Sequence, residues 1–308
     1  MNIESKQGRV VELHGQRVVI STADKMIDAV LAGKLKHGEK QITPVAVGDY
    51  VFYDLKADGL ASVEEVIQRK KYLSRPAVER DGLIQVIVSN IDRIIILVSL
   101  KNPRFNSGIV DRFLIAAFKE DIQPVIVLNK IDLGDTSDVD PYFQAWKNIS
   151  CDTFYTSAKS GEGIEDLKSL MNAGTSVIAG HSGVGKSSIL NAIAPKLNLK
   201  TKAVSSYTQK GVHTTSRVSL FQISDKGWVA DTPGLKVLGH SDITKDNLKD
   251  FYPEFNNPET PCRFDDCNHI NEPDCAIKQS IENNDSQIAK FRYENYIRIH
   301  DSIKDLRY

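Results

Sequence analysis

This sequence lacks long apolar runs, an excess of charge of one sign and widely spread cysteines. The longest apolar runs, such as Ile94 to Val98, are too short to span a bilayer, and no signal-peptide-like segment follows Met1. A formal net charge of -1 excludes a global attraction to nucleic acid, so such a partner needs a local patch. Three of the four cysteines lie between 262 and 275, which is unlike a secreted disulfide framework. We therefore expect a cytoplasmic protein without a membrane partner.

The length and composition indicate two or three globular domains. With 308 residues, 41% of them hydrophobic and 26% charged, the chain is long enough to bury more than one core. In residues 1–70, short β-rich runs are separated by Gly, Asp and Lys turns, which predicts a small antiparallel β-barrel. These runs are Arg9 to Leu13, Arg17 to Thr22, Asp49 to Leu55 and Ala61 to Ile67.

Apolar strands alternate with helix-length segments in residues 71–240. The runs Ile94 to Ser99 and Pro124 to Asn129 are typical of buried parallel strands, and Ile109 to Lys119 is typical of the helix between them. Ser176 to Gly180 has the pattern of a further strand. This alternation predicts a doubly wound α/β domain.

The segment from 180 to 187 fits the Walker A pattern G-x-x-x-x-G-K-S/T. It follows an apolar strand and precedes a helix-like segment, which is the context that a phosphate-binding loop requires. In such a loop, glycines let backbone N–H groups wrap phosphate oxygens, Lys186 reaches the β and γ phosphates, and Ser187 ligates Mg²⁺. The alternative is a glycine-rich turn without a ligand. The predicted phosphate-binding residues are Gly180, His181, Ser182, Gly183, Val184, Gly185, Lys186, Ser187 and Ser188.

Two further motifs predict that the bound base is guanine. The tetrapeptide N-K-I-D at 129–132 stands at the end of a predicted strand. The Asp132 carboxylate can accept the N1–H and N2 amino protons of guanine, whereas adenine lacks both; alternatively, an aspartate after a strand serves as a helix cap. The tetrapeptide T-S-A-K at 156–159 matches the second guanine loop. The predicted base-binding residues are Asn129, Lys130, Asp132, Ser157, Ala158 and Lys159.

The order of the motifs indicates a rearranged chain. Asp231 begins the motif D-T-P-G, which would hold Mg²⁺ through water and sense the γ-phosphate with the amide of Gly234. In ordinary GTPases the phosphate loop precedes D-x-x-G, N-K-x-D and S-A-K, but here both guanine motifs come first. Ligand loops cluster at the carboxyl ends of the strands, so rejoining the chain elsewhere leaves the site intact. The sequence predicts a circularly permuted P-loop GTPase that binds GTP and GDP.

One acid-free segment stands out in a chain of nearly balanced charge. From 191 to 224 there is no Asp or Glu. We interpret part of this segment as neutralising the nucleotide and more of it as meeting RNA phosphate, which would make binding salt-dependent. A solvated loop is the alternative. The basic residues of the segment include Lys196, Lys200, Lys202, Lys210 and Arg217.

Residues 241–308 contain a Cys/His cluster and a predicted mainly helical tail from Ala276. Cys262, Cys267, His269 and Cys275 are spaced C-x4-C-x-H-x5-C. Three thiolates and one imidazole form a complete tetrahedral set for structural Zn²⁺, with no open catalytic position. The alternative is a set of scattered thiols with a surface histidine.

Together these features resemble the ribosome small-subunit-dependent GTPase A family. The resemblance also rests on G-V-H-T-T at 211–215 and on Asn-Glu-Pro-Asp before the last cysteine. It covers about residues 70–300, whereas the barrel is similar to the family's OB-fold only in length and pattern. Membership implies a bacterial factor that binds the immature small (30S) ribosomal subunit and its rRNA late in assembly, and we expect this factor to be a monomer. It also implies that GTP hydrolysis is much faster on the subunit.

Two positions bear on the hydrolysis mechanism. Many GTPases place a glutamine directly after D-x-x-G to orient the attacking water, but this chain has Leu235, which cannot hydrogen-bond water. The resemblance points instead to His213 as the catalytic group. In the threonine pair that follows it, we assign Thr215 to Mg²⁺ and the γ-phosphate. Thr214 is an alternative for the metal, and a loop histidine that contacts solvent or RNA is an alternative for His213.

Two other classes of function compete with a GTPase. A P-loop ATPase or small-molecule kinase is disfavoured by Asp132 and by the T-S-A-K loop. An RNA-binding assembly protein with a vestigial nucleotide site is disfavoured because Lys186, Ser187 and Asp231 are all present. The sequence therefore favours the GTPase.

Overall fold

The computed structural model describes three successive parts of the chain: a β-barrel, an α/β layer and a Cys/His-rich part with helices, as predicted. The domain boundaries at 70 and 240 stay predictions. His213, Thr214, Thr215, Gly234 and Leu235 lie outside the described residues. The described residues are 6–33, 35, 41–55, 60–77, 83–199, 218–231, 243–256, 260–283 and 288–303.

Five strands form the N-terminal barrel in the order β1-β2-β3-β5-β4, and β4 pairs back with β1. The sheet is therefore closed and leaves no barrel edge unpaired. Alternate residues such as Val18 and Ile20 point into the barrel core. The pairing of β3 with β5 is parallel, which differs from the predicted all-antiparallel arrangement. The strands are β1 Lys6–His14, β2 Arg17–Ser21, β3 Met26–Leu31, β4 Tyr50–Leu55 and β5 Ala61–Val66.

A hairpin of β6 Tyr72–Pro76 and β7 Ile84–Ser89 leads from the barrel into the α/β layer. Six strands then form the order β10-β9-β8-β11-β13-β12, in which only β12 runs antiparallel. The strands are β8 Arg93–Ser99, β9 Gln123–Asn129, β10 Asp152–Tyr155, β11 Ala173–Gly180, β12 Ser219–Gln222 and β13 Lys226–Asp231. The helices are α1 Ser107–Lys119, α2 Asp140–Asn148, α3 Ile164–Met171 and α4 Lys186–Ile193.

The central strands are apolar throughout because both faces of the sheet are covered. Ile94 and Ile96 of β8 pack with α1 and α2, whereas Ile95 and Leu97 pack with α3 and α4. Successive side chains of a strand point to opposite faces, so a doubly covered strand needs a continuous apolar run. The strand order reverses between β8 and β11, which makes the crevice at their carboxyl ends the expected ligand site.

The barrel and the α/β layer share one continuous sheet. β1 pairs with β12, with Glu12 opposite Ser219. Arg9 lies buried at this junction, where it donates hydrogen bonds of 2.7 Å to Thr175 Oγ1 and 3.1 Å to the carbonyl of Asn90. The rings of Tyr50 and Trp228 also contact its guanidinium. A buried cation is stable only when it is paired in this way, so the contact fixes the barrel against the α/β layer.

The C-terminal part packs on helix α1. It contains α5 Ala276–Glu282 and α6 Lys290–Ser302. Arg292 of α6 is buried, forms an ion pair with Asp111 of α1, and donates a 2.7 Å hydrogen bond to Glu254. Asn295 adds a 2.8 Å hydrogen bond to Asp111. None of the helices in the described ranges combines the length and the apolar character that crossing a bilayer requires.

Candidate functional site

The phosphate loop connects the end of β11 to the start of α4, as the Walker A pattern predicted. Two of its glycines are required by close backbone approach. A Cβ on Gly180 would lie 2.3 Å from the Leu97 carbonyl oxygen, and one on Gly185 would lie 2.3 Å from Asn129 Nδ2. Gly185 also has a φ of 102°, which a side chain rarely adopts. Ser187 and Ser188 lie in the first turn of α4, where backbone N–H groups have no partner within the helix.

Lys186 and Asp231 are partly buried charged groups that influence each other electrostatically. Lys186 Nζ donates hydrogen bonds to the carbonyls of Gly180 at 2.8 Å and His181 at 3.0 Å. Burial lowers the pKa of Lys186, and the nearby Asp231 opposes that shift. Burial likewise raises the pKa of Asp231, against the effect of Lys186. Because desolvation disfavours both charges, the pair is suited to gaining a phosphate and a divalent cation as partners.

The Asp132 carboxylate is held in place by the second guanine loop. Its Oδ1 accepts a 2.7 Å hydrogen bond from Ser157 Oγ, and its Oδ2 lies 3.9 Å from Lys159 Nζ. Ser157 is itself fully buried, whereas the Lys159 side chain is mostly exposed. The N-K-I-D and T-S-A-K motifs, which are separated along the sequence, thus meet around the Asp132 carboxylate.

Asn129 and Lys130 join the guanine loops to the phosphate loop. Asn129 Nδ2 donates a 2.8 Å hydrogen bond to the Val184 carbonyl, and its Oδ1 accepts one of 3.2 Å from Ala158 N. Lys130 Nζ donates a 2.6 Å hydrogen bond to the Gly183 carbonyl. Burial lowers the pKa of Lys130, although Asp132 opposes this shift. The described members of the predicted nucleotide site, with Ser182 at the exposed turn of the loop, therefore meet at one edge of the sheet.

The sequence did not predict a contact from the segment Leu100–Asn106. Lys130 Nζ also donates to the Asn102 carbonyl, and Ser99 Oγ donates a 2.8 Å hydrogen bond to the Pro103 carbonyl. This segment therefore lies between the two nucleotide loops. The one sequence feature that could have indicated this contact is the position of the segment, which directly follows a buried strand that ends at Ser99.

The four predicted metal ligands lie together in the C-terminal part. Cys262, Cys267, His269 and Cys275 place one ligand atom each within 4.8 Å of the others. His269 Nδ1 is 3.6 Å from Cys262 Sγ and 3.4 Å from Cys275 Sγ, and the two sulfurs are 4.0 Å apart. Ligands at about 2.0–2.3 Å from a tetrahedral Zn²⁺ are separated by similar distances. The donor set therefore fits zinc.

The surroundings of this cluster are those of a structural site. Burial raises the pKa of the Cys267 thiol to about 12. Burial also lowers the pKa of His269, as does Lys249, while Glu272 opposes the shift. Tyr293 of α6 donates a 2.7 Å hydrogen bond to the His269 carbonyl, so the cluster is packed against a helix rather than open to a substrate. Cys151, the remaining cysteine, is buried in the α/β core.

Comparison with known proteins agrees with this architecture. The sequence profile of the RsgA GTPase family matches residues 66–241. The small ribosomal subunit biogenesis GTPase RsgA of Thermotoga petrophila is 38% identical, over 96% of this chain and 95% of that protein. The protein of the same name from Christiangramia forsetii is 34% identical, over 97% of each chain.

Solved structures extend the similarity to the whole fold. YjeQ from Thermotoga maritima has a TM-score of 0.75 and 33% identity, over 98% of this chain and 99% of that one. YloQ, described as a circularly permuted GTPase, has a TM-score of 0.74 and 29% identity, over 99% of this chain and 98% of its own. The predicted permuted fold and the predicted family are thereby confirmed. This chain belongs to the RsgA GTPase family.

Proposed function

We propose that this chain is a cytoplasmic GTPase that acts late in the assembly of the small (30S) ribosomal subunit and is stimulated by the subunit. The near-full-length similarity to curated small ribosomal subunit biogenesis GTPases carries the proposal. The junction of the phosphate and guanine loops at one sheet edge supports the GTP-binding part. The factor works as a monomer that contacts rRNA, and the acid-free segment from 191 to 224 supports the RNA contact.

In the proposed nucleotide site, separate groups of residues recognise the base, bind the phosphates and hold the metal ion. Asp132 selects guanine, and Asn129 keeps the base loop and the phosphate loop in register through its contact with Val184. Lys186 moves from its carbonyl partners to the β and γ phosphates, which supply a stronger charge partner. Ser187 and Thr215 would hold Mg²⁺, Asp231 would support the metal with its carboxylate, and the Gly234 amide would sense the γ-phosphate. Magnesium contributes charge neutralisation at the transferring phosphoryl group.

We assign the orientation of the attacking water to His213. Leu235 has no group that can hydrogen-bond water, so the position after D-x-x-G cannot supply this function. A histidine can position a water or exchange a proton near neutral pH. In our proposal the subunit completes the geometry, so the free protein turns over slowly.

The Cys/His cluster is proposed to hold one structural Zn²⁺ through Cys262, Cys267, His269 and Cys275. Replacing Cys267 by Ser, or chelating the metal, should abolish zinc binding and lower the thermal stability of the C-terminal part. Metal binding contributes directly to folding at such sites. Affinity for GTP should change by less than about twofold, because the hydrogen bonds around Asn129 and Asp132 lie within the α/β layer.

Elemental analysis and thermal melting test this prediction, with Cys151→Ser as the matched control. Cys151 is a buried cysteine outside the cluster, so its replacement should leave the zinc content unchanged. The parent protein purified without chelator should contain about one zinc per chain. Zinc content near zero in that protein would contradict the assignment.

The proposed function is tested by measuring GTP hydrolysis with and without purified small subunits. Hydrolysis should rise by at least about tenfold in their presence and should respond less to large subunits, because only the proper partner completes the site. Competition by GTP and GDP, but not ATP, should accompany it. Equal rates with and without small subunits would contradict the ribosomal part of the proposal, while the base competition separately tests the nucleotide part.

A further inference from the structure

The segment Leu100–Asn106, called here the β8–α1 loop, lies at the point where the strand order reverses. It follows β8, and Gly180 at the end of β11 pairs with Leu97 of β8. Its backbone is anchored by Ser99 Oγ, which donates to Pro103, and by Lys130 Nζ, which donates to Asn102. Because Lys130 also contacts Gly183, the β8–α1 loop is tied to both nucleotide loops.

The two charged side chains of this loop are both basic and exposed. No Asp or Glu occurs from 100 to 110, whereas Lys101 and Arg104 lie there. Lys101 Nζ donates a 3.2 Å hydrogen bond to the Leu133 carbonyl, which holds it over the guanine loop. Arg104 is exposed, and within the described ranges its guanidinium has neither an ion pair nor a hydrogen bond. Such an arginine, held on an anchored backbone and with its guanidinium unpaired within the described ranges, can bind an external anion without first breaking another contact.

Arg104 also lies beside the phosphate loop. It lines a cavity of about 190 Å³ together with Phe105, Ile109, His181 and Val184. His181 and Val184 belong to the Walker A segment. A partner that contacts Arg104 therefore lies against the loop that cradles the nucleotide phosphates.

We infer that Arg104 binds a backbone phosphate of small-subunit RNA, which makes the β8–α1 loop part of the RNA-binding surface. This inference rests on the proposed function. Arginine presents a planar fork of donors that matches phosphate geometry, and the loop carries no acidic residue to oppose it. In the described part of the acid-free segment from 191 to 224, Ser219 of β12 pairs with Asp231 at this edge of the sheet. Because the chain's net charge of -1 cannot attract RNA globally, contact with RNA needs a local positive group such as Arg104.

The binding of small subunits by the Arg104→Ala protein, measured at several salt concentrations, tests this inference. Loss of one charge-assisted phosphate contact should weaken binding by about tenfold and reduce the slope of log affinity against log salt by about 1. The thermal midpoint, the affinity for GTP and the turnover of the free protein should stay unchanged, since Arg104 lies on the surface. Subunit-stimulated turnover at low subunit concentration should fall with the affinity. Arg104→Lys should retain most of the slope because it keeps the charge.

Arg112→Ala is the matched control, because Arg112 is an exposed arginine of α1 whose guanidinium already contacts Ser302. An equal loss in Arg112→Ala would show a general charge effect and overturn the specific assignment. A weaker affinity with an unchanged salt slope would point to a protein surface and would also overturn it. The effect should persist on rRNA freed of ribosomal proteins. If the parent protein itself fails to bind small subunits, the proposed function fails; if only the Arg104 effect is missing, the inference alone fails.

Discussion

Replacing Asp132 by Asn should lower the affinity for GTP by about 10²–10⁴-fold and raise the relative affinity for xanthosine triphosphate. The carboxylate accepts two guanine protons, and hydrogen bonds to a charged group contribute about 1.5–3 kcal/mol each. An asparagine presents an amide donor instead, which repels the guanine amino group but pairs with the carbonyl at C2 of xanthine. Equilibrium binding of the two labelled nucleotides measures both changes.

The geometry around Asp132 makes the substitution a local one. Ser157 Oγ donates a 2.7 Å hydrogen bond to Oδ1 of Asp132, and the carbonyl oxygen of an asparagine can still accept that hydrogen bond. Asp135→Asn is the matched control. Asp135 is an exposed aspartate of the same loop, and its carboxylate accepts hydrogen bonds from the neighbouring residues Thr136 and Ser137. The control should keep the parent preference. An unchanged preference for GTP in Asp132→Asn would remove Asp132 from the base site.

The nucleotide loops were predictable because their chemistry requires particular residues at fixed spacing. Gly185 admits the side chain of Asn129 only because it has no Cβ, and Lys186 follows at the helix start. The Walker A pattern records both requirements within eight residues. The Cys/His cluster was predictable for a similar reason, since a single short segment supplies all four side chains.

Features that depend on contacts between distant segments were not predictable from local pattern. Strand β3 was missed because the apolar Met26 takes an exposed position and Ala29 is a weak strand former, so the alternation is faint in the sequence. The pairing of β1 with β12 joins two parts of the chain at a single matched pair of residues, Glu12 and Ser219. Arg9 at this junction is a charged residue in a strand, and its burial depends on Trp228 from another domain.

The β8–α1 loop shows the same limit within the site itself. Its sequence Lys101 to Asn106 contains no nucleotide-binding motif. Its importance follows from the hydrogen bonds that Lys130 makes to Asn102 and Gly183, across 28 and 53 positions of the chain. A motif search finds residues that touch the ligand, whereas residues that hold those side chains in place emerge only from the fold.

Replacing His213 by Ala should abolish most of the stimulation of GTP hydrolysis by small subunits. If Leu235 leaves the water unoriented and His213 supplies that function, the loss of one positioning or proton-transfer group costs about 10²–10⁴ in rate. Affinity for GTP should barely change, because the histidine acts on water and not on the bound phosphates, so the loss appears in turnover. Single-turnover hydrolysis on saturating subunits, together with nucleotide binding, measures the two quantities separately.

Leu235→Ala is the control for this experiment, since a leucine that only packs should give a milder loss than the histidine. Subunit binding by the His213→Ala protein must be confirmed independently, because a protein that no longer binds would also lose stimulation. A loss of turnover with binding intact separates the catalytic role from the alternative of a loop histidine that contacts RNA. Full stimulation in His213→Ala, with the subunit bound, would refute the assignment and place the water-orienting group on the ribosome.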